Sequence, residues 1–575
     1  MSTVDPRSRR TGITALVLTL ILALAGCTGL PTSGEVKAGL EPGAAAEEPR
    51  PQYYAGAPVR GSTPEQIVAG FIEAAISPID SWKTARLFLD GDLAETWRPE
   101  AGVTVDIADE RRPQVDEENG IVTLRIDPTA TVDEHGTYTS SASGPVELSF
   151  RLAKREDGEW RIVEAPDGVV LDRLSFPDVY RDHRLAYFDP TWTYLVPDVR
   201  WFPATGNTAT YIVRELVNGA PSPWLAGSVA SAFAQDVDLV PNAVPVDADQ
   251  IAHVTLNAVA AAADATTLTR MMTQLDASLT NAGVQDVRLM IEGEDSPRTV
   301  DPLVPGQTRP DPRALVLRAG EFGFISGSEL TPIEGLSAAI ADMPGPIESI
   351  AVSPDQQVAV LKQSPDAIYR VTADQPDVVL DERDGLIDPL IDPFGFIWTV
   401  PEDDPDAILT WSPELEPTQI GGGWPDATRV RGMAMSRDGS RVAALLTTGG
   451  QHLAVVASVR RDRNGTPTGL GEAMRLSVLP EPGVSIAWIE DARVGIVTTA
   501  GNITRVFEQQ VGGPGESSEA PAGITAIEFG TQDSSVRLLG KDGLMYTRRG
   551  TSWQQTGAEV SVLATQMGTP QGAQE

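Results

Sequence analysis

The sequence predicts a multidomain protein in which two small α+β domains are followed by an all-β propeller of six blades. At 575 residues the chain is longer than one ordinary core allows, so several domains are expected. Its 45 prolines and 53 glycines indicate many turns and short strands. Towards the C-terminus a strand–turn–strand pattern recurs about every 40–50 residues, the length of a four-stranded propeller blade.

Residues 63–190 are predicted to form the first α+β domain. Thr63-Pro64-Glu65-Gln66 predicts a helix start, because it places a hydroxyl at the N-cap, proline at N1 and an amide at N3. An apolar stripe at helical spacing follows and comprises Ile67, Val68, Phe71, Ile72 and Ala75. Strands are expected at 103–107, 121–126, 146–152 and 160–163, with Asp157-Gly158 as a turn. We therefore expect one or two helices packed on an antiparallel sheet.

Residues 191–309 are predicted to form a second α+β domain that is richer in helix. The expected helices cover 208–218, which Gly219 ends, 225–233 and 268–279. The expected strands cover 237–240, 253–256 and 287–291. The pair Met271-Met272 could line a binding groove, but its helical spacing is more typical of a core.

Residues 310–575 are predicted to form the propeller. In its two clearest repeats, strand 347–352 leads into Ser353-Pro354-Asp355, and strand 430–435 leads into Ser436-Arg437-Asp438-Gly439. Weaker copies of the turn occur at 392–395, 489–492 and 529–532. The strands expected at 314–317, 322–325 and 329–332 lack an inner strand. Residues 560–564 are expected to supply it and to close the ring, which leaves no sheet edge exposed. An open array of β-sandwiches is the alternative.

The N-terminus predicts a signal peptide over residues 1–26. Arg7, Arg9 and Arg10 precede an apolar stretch, 13–25, that is too short to span a bilayer. It ends in Leu24-Ala25-Gly26-Cys27, the pattern of a lipobox. Small residues before Cys27 admit a protease, and its thiol is the nucleophile that accepts a diacylglyceryl group. The α-amine freed by cleavage can then take an acyl chain such as palmitate, and two or three chains anchor a protein stably.

We therefore expect Cys27 to carry lipid and to hold the protein at the extracytoplasmic face of the cell membrane. Residues 27–62 are expected to be the lipidated cysteine and a flexible tether, because they are rich in Pro, Gly, Ala and Glu. The alternatives are a signal peptide without lipidation or a short membrane anchor.

Charge and motif content argue against several functions. The formal charge of −36 repels phosphate backbones, so nucleic-acid binding is not expected. The chain has one cysteine, which excludes an internal disulfide framework, and its four histidines lack metal-ligand spacing, so neither metal nor cofactor is expected. No catalytic motif is present, and the protein is predicted not to be an enzyme. Acidic residues 402–406 are read as a solvated loop rather than a Ca²⁺ site. A pair of catalytic carboxylates, as in glycosidases, is an alternative that the sequence leaves open, because 80 acidic residues bring many carboxylates close together by chance.

The order of lipobox, tether, two α+β domains and propeller resembles the LpqB family of lipoproteins over essentially the whole mature chain. The segment Glu215-Leu216-Val217-Asn218-Gly219-Ala220-Pro221 and the helix expected at 268–279 resemble the GerMN domain of spore-germination proteins. The usual Gly-Pro pair of that domain is interrupted here by Ala220. The resemblance implies an accessory lipoprotein that contacts the extracytoplasmic domain of the sensor kinase MtrB. It further implies an effect on phosphorylation of the regulator MtrA, and so on the cell envelope and division. Only Cys27 carries over as a family site, as acyl acceptor.

Two other functions compete with this two-component signalling role. One is binding, or acting on, cell-wall glycan in the propeller channel, which clustered aromatic and acidic side chains at one end of the channel would favour. The other is a scaffold for envelope assembly without a signalling role.

Overall fold

The computed structural model describes residues 56–140, 144–363, 367–530 and 536–571. These residues belong to one compact unit, Gln52–Glu575. The predicted signal peptide, Cys27 and the tether as far as residue 55 lie outside the described residues. The domain boundaries drawn from the sequence stay predictions.

The first region begins with the helix that the capping signature predicts. Helix α1 spans Pro64–Ala74, and both hydrogen bonds of the capping box are present. Gln66 N–H donates to Thr63 Oγ1 over 3.3 Å, and Thr63 N–H donates to Gln66 Oε1 over 3.0 Å. The predicted apolar stripe is buried, and Phe71 meets Trp97 edge-on with ring centroids 5.0 Å apart.

Eight strands complete this region: β1 (Gly102–Asp106), β2 (Arg112–Asp116), β3 (Ile121–Ile126), β4 (Ala130–Asp133), β5 (Tyr138–Ser140), β6 (Val146–Lys154), β7 (Trp160–Glu164) and β8 (Val169–Asp172). They form two four-stranded sheets, in the orders β5-β4-β1-β8 and β2-β3-β6-β7. The short helices are α2 (Lys83–Arg86), α3 (Leu93–Thr96) and α4 (Phe176–Val179). The expectation of one antiparallel sheet was wrong, because β1 and β8 pair in parallel. The long connection that a parallel pair requires runs here from β2 to β7 and includes the whole second sheet.

The second region combines a hairpin, a parallel strand pair and two helices. Its elements are β9 (Tyr180–Phe188), β10 (Leu195–Pro203), α5 (Thr208–Val217), β11 (Ile251–Leu256), α6 (Ala265–Thr280) and β12 (Asp286–Ile291). β9 and β10 are antiparallel, whereas β11 and β12 are parallel. Met271 and Met272 are buried in the core between these elements, so the core interpretation of the methionine pair is confirmed.

The helix expected at 225–233 was wrong. A 3-10 turn covers Pro223–Leu225, and an irregular segment follows. Gly227 has φ of +79°, which ends any helix that would continue from Leu225. Trp224 and Leu225 are buried against propeller side chains, so tertiary packing overrides the local helical pattern. The strand expected at 237–240 is likewise reduced to one bridge, between Leu239 and Leu256.

Within the described residues, the third region contains six sheets of four or five strands. The first three comprise β14 (Ala314–Arg318), β15 (Glu321–Ser326) and β16 (Glu329–Thr331), then β17 (Ile347–Val352), β18 (Val358–Gln363), β19 (Ala367–Thr372) and β20 (Val378–Asp381), then β21 (Leu390–Ile391), β22 (Ile397–Thr399), β23 (Ile408–Trp411) and β24 (Pro417–Ile420). A short strand, β13 (Gln307–Arg309), precedes them, and helix α7 (Leu336–Ala341) separates the first two sheets.

The other three sheets follow the same plan. They comprise β25 (Ala427–Met435), β26 (Arg441–Thr448), β27 (Gln451–Arg461), β28 (Pro467–Leu470) and β29 (Met474–Leu479), then β30 (Gly483–Glu490), β31 (Arg493–Ala500), β32 (Ile503–Gln510) and β33 (Gly515–Ala520), then β34 (Ile524–Glu528), β35 (Arg537–Gly540), β36 (Met545–Arg549) and β37 (Ser552–Gly557). The C-terminal strands are β38 (Val560–Leu563), β39 (Thr565–Gln566) and β40 (Thr569–Gln571).

The C-terminal strands join the end of the propeller region to its beginning. β38 pairs antiparallel with β14, which is the partner predicted for the missing inner strand. β39 then pairs with β17 of the next sheet, and β40 pairs with β13. This pairing protects strands that would otherwise be exposed edges. The number of blades stays a prediction.

The two clearest repeats share a hydrogen-bonded turn. Ser353 Oγ donates to Asp355 Oδ1 over 2.5 Å and accepts from Val358 N–H. Ser436 Oγ donates to Asp438 Oδ1 over 2.8 Å and accepts from Arg441 N–H. A serine and an aspartate two residues apart therefore shape both turns in the same way. Thr531-Gln532, in a weaker copy of the turn, lies outside the described residues.

Candidate functional site

The β9–β10 hairpin lies where the three regions meet. The Trp201 ring packs on Phe176 of the first region, with centroids 4.7 Å apart. Its Nε1–H donates to the backbone oxygen of Gly512 in the propeller region over 2.8 Å. Gly512 has φ of +77°, a conformation that glycine adopts without strain. One side chain thus connects three regions through an aromatic contact and a hydrogen bond.

A second link, the Trp224 contact, consists of Trp224, Leu225 and Ser228 of the second region against Val456 and Ser458 of β27. Trp224, Leu225 and Val456 share one buried apolar cluster. Ser458 Oγ donates to Trp224 O over 2.7 Å and also accepts from Ser228 Oγ over 2.9 Å. The buried hydroxyl groups of Ser228 and Ser458 are therefore paired within the protein.

The junction of the first two regions is polar and is built around Glu215. This carboxylate is buried at the end of α5, with Oε2 3.0 Å from Nδ1 of His135 in the β4–β5 turn. A Cβ on Gly219 would lie 2.4 Å from Glu215 O, so only glycine allows this approach. The segment that resembles the GerMN domain therefore supplies both the buried acid and the close turn at this junction.

A buried ion pair supports the same junction. Arg200 Nη2 lies 2.8 Å from Asp198 Oδ2, and both side chains are almost fully buried. Although burial opposes the charge, the Asp198 carboxylate raises the pKa of Arg200 above its ordinary value. Arg200 Nη1 also donates to His135 O over 3.0 Å, and Ser222 Oγ donates to Asp198 Oδ1 over 2.6 Å. Removal of either charge would leave the other buried without compensation.

The centre of the propeller region encloses little space. A cavity of about 50 Å³ lies among the inner strands and is lined by residues that include Met433, Trp488, Glu528 and Phe529. Burial raises the pKa of Glu528 to about 7, against the effects of a hydrogen bond from Thr565 and the charge of Arg537. An aromatic and an acidic side chain do meet here, but ligand pockets measure roughly 300–1,000 Å³. The cavity is therefore too small to hold a sugar chain.

The residues that the sequence singled out for metal or ligand chemistry are dispersed or already paired. In the described ranges, no group of three or more His, Cys, Asp or Glu side chains could hold a metal ion. His253 Nε2 lies 3.0 Å from Asp247, and His183 is buried beside Phe202. In the acidic loop, Asp403 pairs with Arg429 over 2.8 Å. Cys27, the one predicted modification site, lies outside the described residues.

Buried ion pairs of the propeller are features that sequence reasoning missed. Asp392 and Arg461 form a pair at 2.6 Å, and both side chains are fully buried. Asp392 also accepts from Trp398 Nε1–H over 3.0 Å. Asp392 does lie in a weak copy of the repeat turn, but its partner is 69 residues away. The sequence would have indicated this pair only through an arginine that recurs at the same position on the third strand of successive repeats.

Three family models match the chain. A model described as the N-terminal domain of lipoprotein LpqB matches residues 57–177. A model described by sporulation and spore germination, Germane, matches residues 184–296. A model of the LpqB beta-propeller domain matches residues 320–562. None of these descriptions names a catalytic activity.

Three curated relatives, each named lipoprotein LpqB, match over nearly their whole length. The protein of Streptomyces coelicolor is 27% identical, over 96% of this chain and 97% of the relative. The Cutibacterium acnes protein is 24% identical, over 96% and 98% respectively. The Bifidobacterium longum protein is 26% identical, over 93% and 95%. In the part of this chain that the structure describes, no helix has the length and apolar character needed to cross a membrane.

Solved structures align with smaller parts of the chain. TolB from Acinetobacter baumannii is 16% identical, with a TM-score of 0.33, over 43% of this chain and 64% of TolB. A chain of a nidogen/laminin complex is 10% identical, with a TM-score of 0.32, over 44% and 96%. Likenesses at this level carry no argument about fold or function.

Proposed function

Because the chain belongs to the LpqB lipoprotein family, we propose that it is a membrane-anchored lipoprotein that binds and modulates a sensor histidine kinase of the MtrB type. The observation that carries the proposal is the full-length match to relatives named lipoprotein LpqB, in which all three regions occur together. The partner surface would be the extracytoplasmic domain of the kinase. Through the regulator MtrA, the output would reach the cell envelope and division.

The anchor in this proposal is Cys27, which would carry a diacylglyceryl group and an N-acyl chain. A tether of about 35 residues has an r.m.s. reach of roughly 30–35 Å, which would lift the folded unit clear of the lipid headgroups. We also propose that the propeller is a ring of six blades. The six sheets of the described residues and the pairing of β38 with β14 support this number.

Lipidation is tested by metabolic labelling with palmitate. The wild-type chain should incorporate label. Cys27→Ser should not incorporate label and should shift to an uncleaved or released form, because serine has a similar size but lacks the thiol that accepts the lipid. The matched control is Ser33→Ala, in the same tether. Equal labelling of Cys27→Ser and wild type would refute lipidation at this residue.

Kinase modulation requires that the lipoprotein bind two states of the kinase with different affinity, since a ligand with equal affinities shifts no equilibrium. Association is tested by reconstituting the full-length lipoprotein with the kinase in liposomes and cross-linking the two. We expect a cross-linked pair that unlabelled soluble kinase domain competes away. Absence of that pair would contradict a direct contact.

The glycan-binding alternative receives no support from the channel. Trp488, Phe529 and Glu528 do lie together there, but the space beside them is about 50 Å³. An envelope-assembly scaffold without a signalling role predicts no effect on the kinase, so kinase output separates it from the proposal.

A further inference from the structure

Besides the packed Trp224 contact, the second region and the propeller also border an open cleft. It is a cleft of about 730 Å³, lined by residues of the β9–β10 hairpin, of the segment 305–310 and of the propeller turns that follow β25 and β30. This volume lies within the roughly 300–1,000 Å³ of small-ligand pockets, which occur preferentially at domain interfaces. The cleft is therefore large enough for a short peptide or a comparable small molecule.

The charge of the cleft differs from that of the chain as a whole. Three arginines from separate segments line it, Arg184, Arg309 and Arg437, against two acids, Asp438 and Asp491. Asp438 is already engaged, because it accepts from Ser436 Oγ and Ser440 N–H over 2.8 Å each and pairs with Arg441. Glu490, the partner of Arg184, lies beside the cleft as well, so the cleft and its immediate partners hold four guanidinium groups and three carboxylates. This balance is slightly basic in a chain with 80 acidic and 44 basic residues. We call this site the arginine cleft.

Arg437 is the most enclosed of the three arginines. Its Nη2–H donates to Gly530 O over 2.9 Å. Burial lowers its pKa, while the charges of Asp491, Glu490 and Glu528 favour the charged form. Arg437 therefore places a positive charge at the inner end of the arginine cleft, and Asp491 and Glu490 already balance part of that charge.

Arg184 can turn towards a ligand at little cost. Its Nη2 lies 3.3 Å from Glu490 Oε2, and each side chain is about one third exposed. An ion pair as exposed as this contributes at most about 1 kcal/mol, so a carboxylate in the cleft can compete with Glu490. Guanidinium groups recognise carboxylates through paired, parallel hydrogen bonds.

The wall of the arginine cleft that carries Arg309 is held in place before any ligand arrives. Gly306 N–H donates to Thr193 O over 2.8 Å. A Cβ on Gly306 would lie 3.1 Å from Thr193 Cγ2 and O, so the two segments approach closely. Pro305 and Pro310 flank this segment and restrict it further. A preformed wall lowers the ordering cost of binding.

From this geometry we infer that the arginine cleft binds a carboxylate-bearing ligand of peptide size, with Arg184, Arg309 and Arg437 as its anion contacts. This binding site goes beyond the proposed kinase contact and does not depend on it. The lipoprotein would then respond to an acidic peptide in the space outside the membrane.

The test measures binding of tetraglutamate with a free C-terminal carboxylate to the full-length lipoprotein in detergent. Salt is kept at about 0.15 M, where the Debye length of ~8 Å screens the overall negative charge. Tetraglutamine amide is the uncharged control, and inorganic phosphate tests whether any anion suffices. We expect saturable binding of tetraglutamate and none of the amide.

Variants assign that binding to the cleft. Arg309→Gln and Arg184→Gln should each weaken binding of tetraglutamate by about tenfold, because each removes a charge-assisted contact. Arg505→Gln removes an exposed arginine outside the cleft and should leave binding unchanged. Equal losses in all three variants, no binding to the wild type, or tighter binding of phosphate than of tetraglutamate would each overturn the inference.

Discussion

The Trp224 contact and the arginine cleft belong to the same junction between the second region and the propeller, yet they differ in almost every property. The Trp224 contact is buried and largely apolar, and its serine hydroxyl groups are hydrogen-bonded. The arginine cleft is open, about 730 Å³ in volume, and lined by charged groups. One part of the junction therefore fixes the geometry, while the other leaves room for a ligand.

A separate link, through Trp201, explains how the arginine cleft keeps its shape. Trp201 joins the hairpin to both the first region and the propeller, and Arg184 lies on β9 of the same hairpin. Because the hairpin cannot shift without breaking these contacts, the cleft wall it forms is held in register. Preorganisation of this kind lowers the cost of binding without adding any contact to the ligand.

Loss of the Trp224 side chain should lower the stability of the protein more than any other substitution at this junction. Trp224→Ala removes a large buried ring and leaves a cavity, so the free energy of unfolding should fall by about 3–5 kcal/mol. Calorimetry of the full-length protein should show the transition shifted to lower temperature. Leu174→Ala, at a residue that is 75% exposed, is the control and should change stability by less than about 0.5 kcal/mol. Similar small shifts in both variants would contradict a packed contact.

Acidification should destabilise the folded protein through His183, which lies on β9 of the β9–β10 hairpin. Burial lowers the pKa of His183 from 6.5 to about 4, so the unfolded chain binds more protons than the folded chain between these values. Stability should therefore fall as pH drops from about 6.5 to 4, by about 3 kcal/mol for this group. The measurement is urea unfolding across this pH range.

His183→Phe is the variant that isolates this effect. Glu528, whose pKa is raised to about 7, acts in the opposite direction between pH 4.5 and 7, and it is present in both proteins. The difference in stability between wild type and His183→Phe should change with pH, becoming less favourable to the wild type as pH falls. A difference that stays constant from pH 7 to 4 would show that His183 is not held neutral.

The smallest effect on stability is expected in the arginine cleft. Arg184→Gln removes the partly exposed pair with Glu490, and such pairs contribute about 0–1 kcal/mol. The melting temperature should therefore stay close to that of the wild type, although ligand binding is impaired. A loss as large as that of Trp224→Ala would mean that the cleft is part of the fixed junction rather than open.

Local signals in the sequence predicted single elements well. The capping box before α1 and the inner strand at 560–563 were both deducible, because a capping motif and a missing strand in a repeat leave local traces. The helix expected at 225–233 failed because its side chains pack against strands more than 200 residues away. The spacing of apolar residues along the chain gives no information about a contact between segments so far apart in sequence.

The arginine cleft could not be predicted from the sequence, for the same reason. Arg184, Arg309 and Arg437 lie in three different segments, and only the docking of the second region on the propeller brings them together. Arg437 was recognised in the sequence only as part of a repeat turn. The proposal of Cys27 as lipidation site, by contrast, rests on neighbouring residues alone, which is the kind of signal that a sequence displays directly.

The claim that this lipoprotein modulates a sensor kinase is tested most directly by kinase autophosphorylation in liposomes. The initial rate is measured for the MtrB-type kinase as full-length lipoprotein is titrated in, with the released form of Cys27→Ser as the control without lipid. We predict a saturable change in rate with the wild type and a much weaker response with Cys27→Ser at the same total concentration. An unchanged rate at saturating wild-type protein would contradict the account and leave the envelope scaffold as the better description.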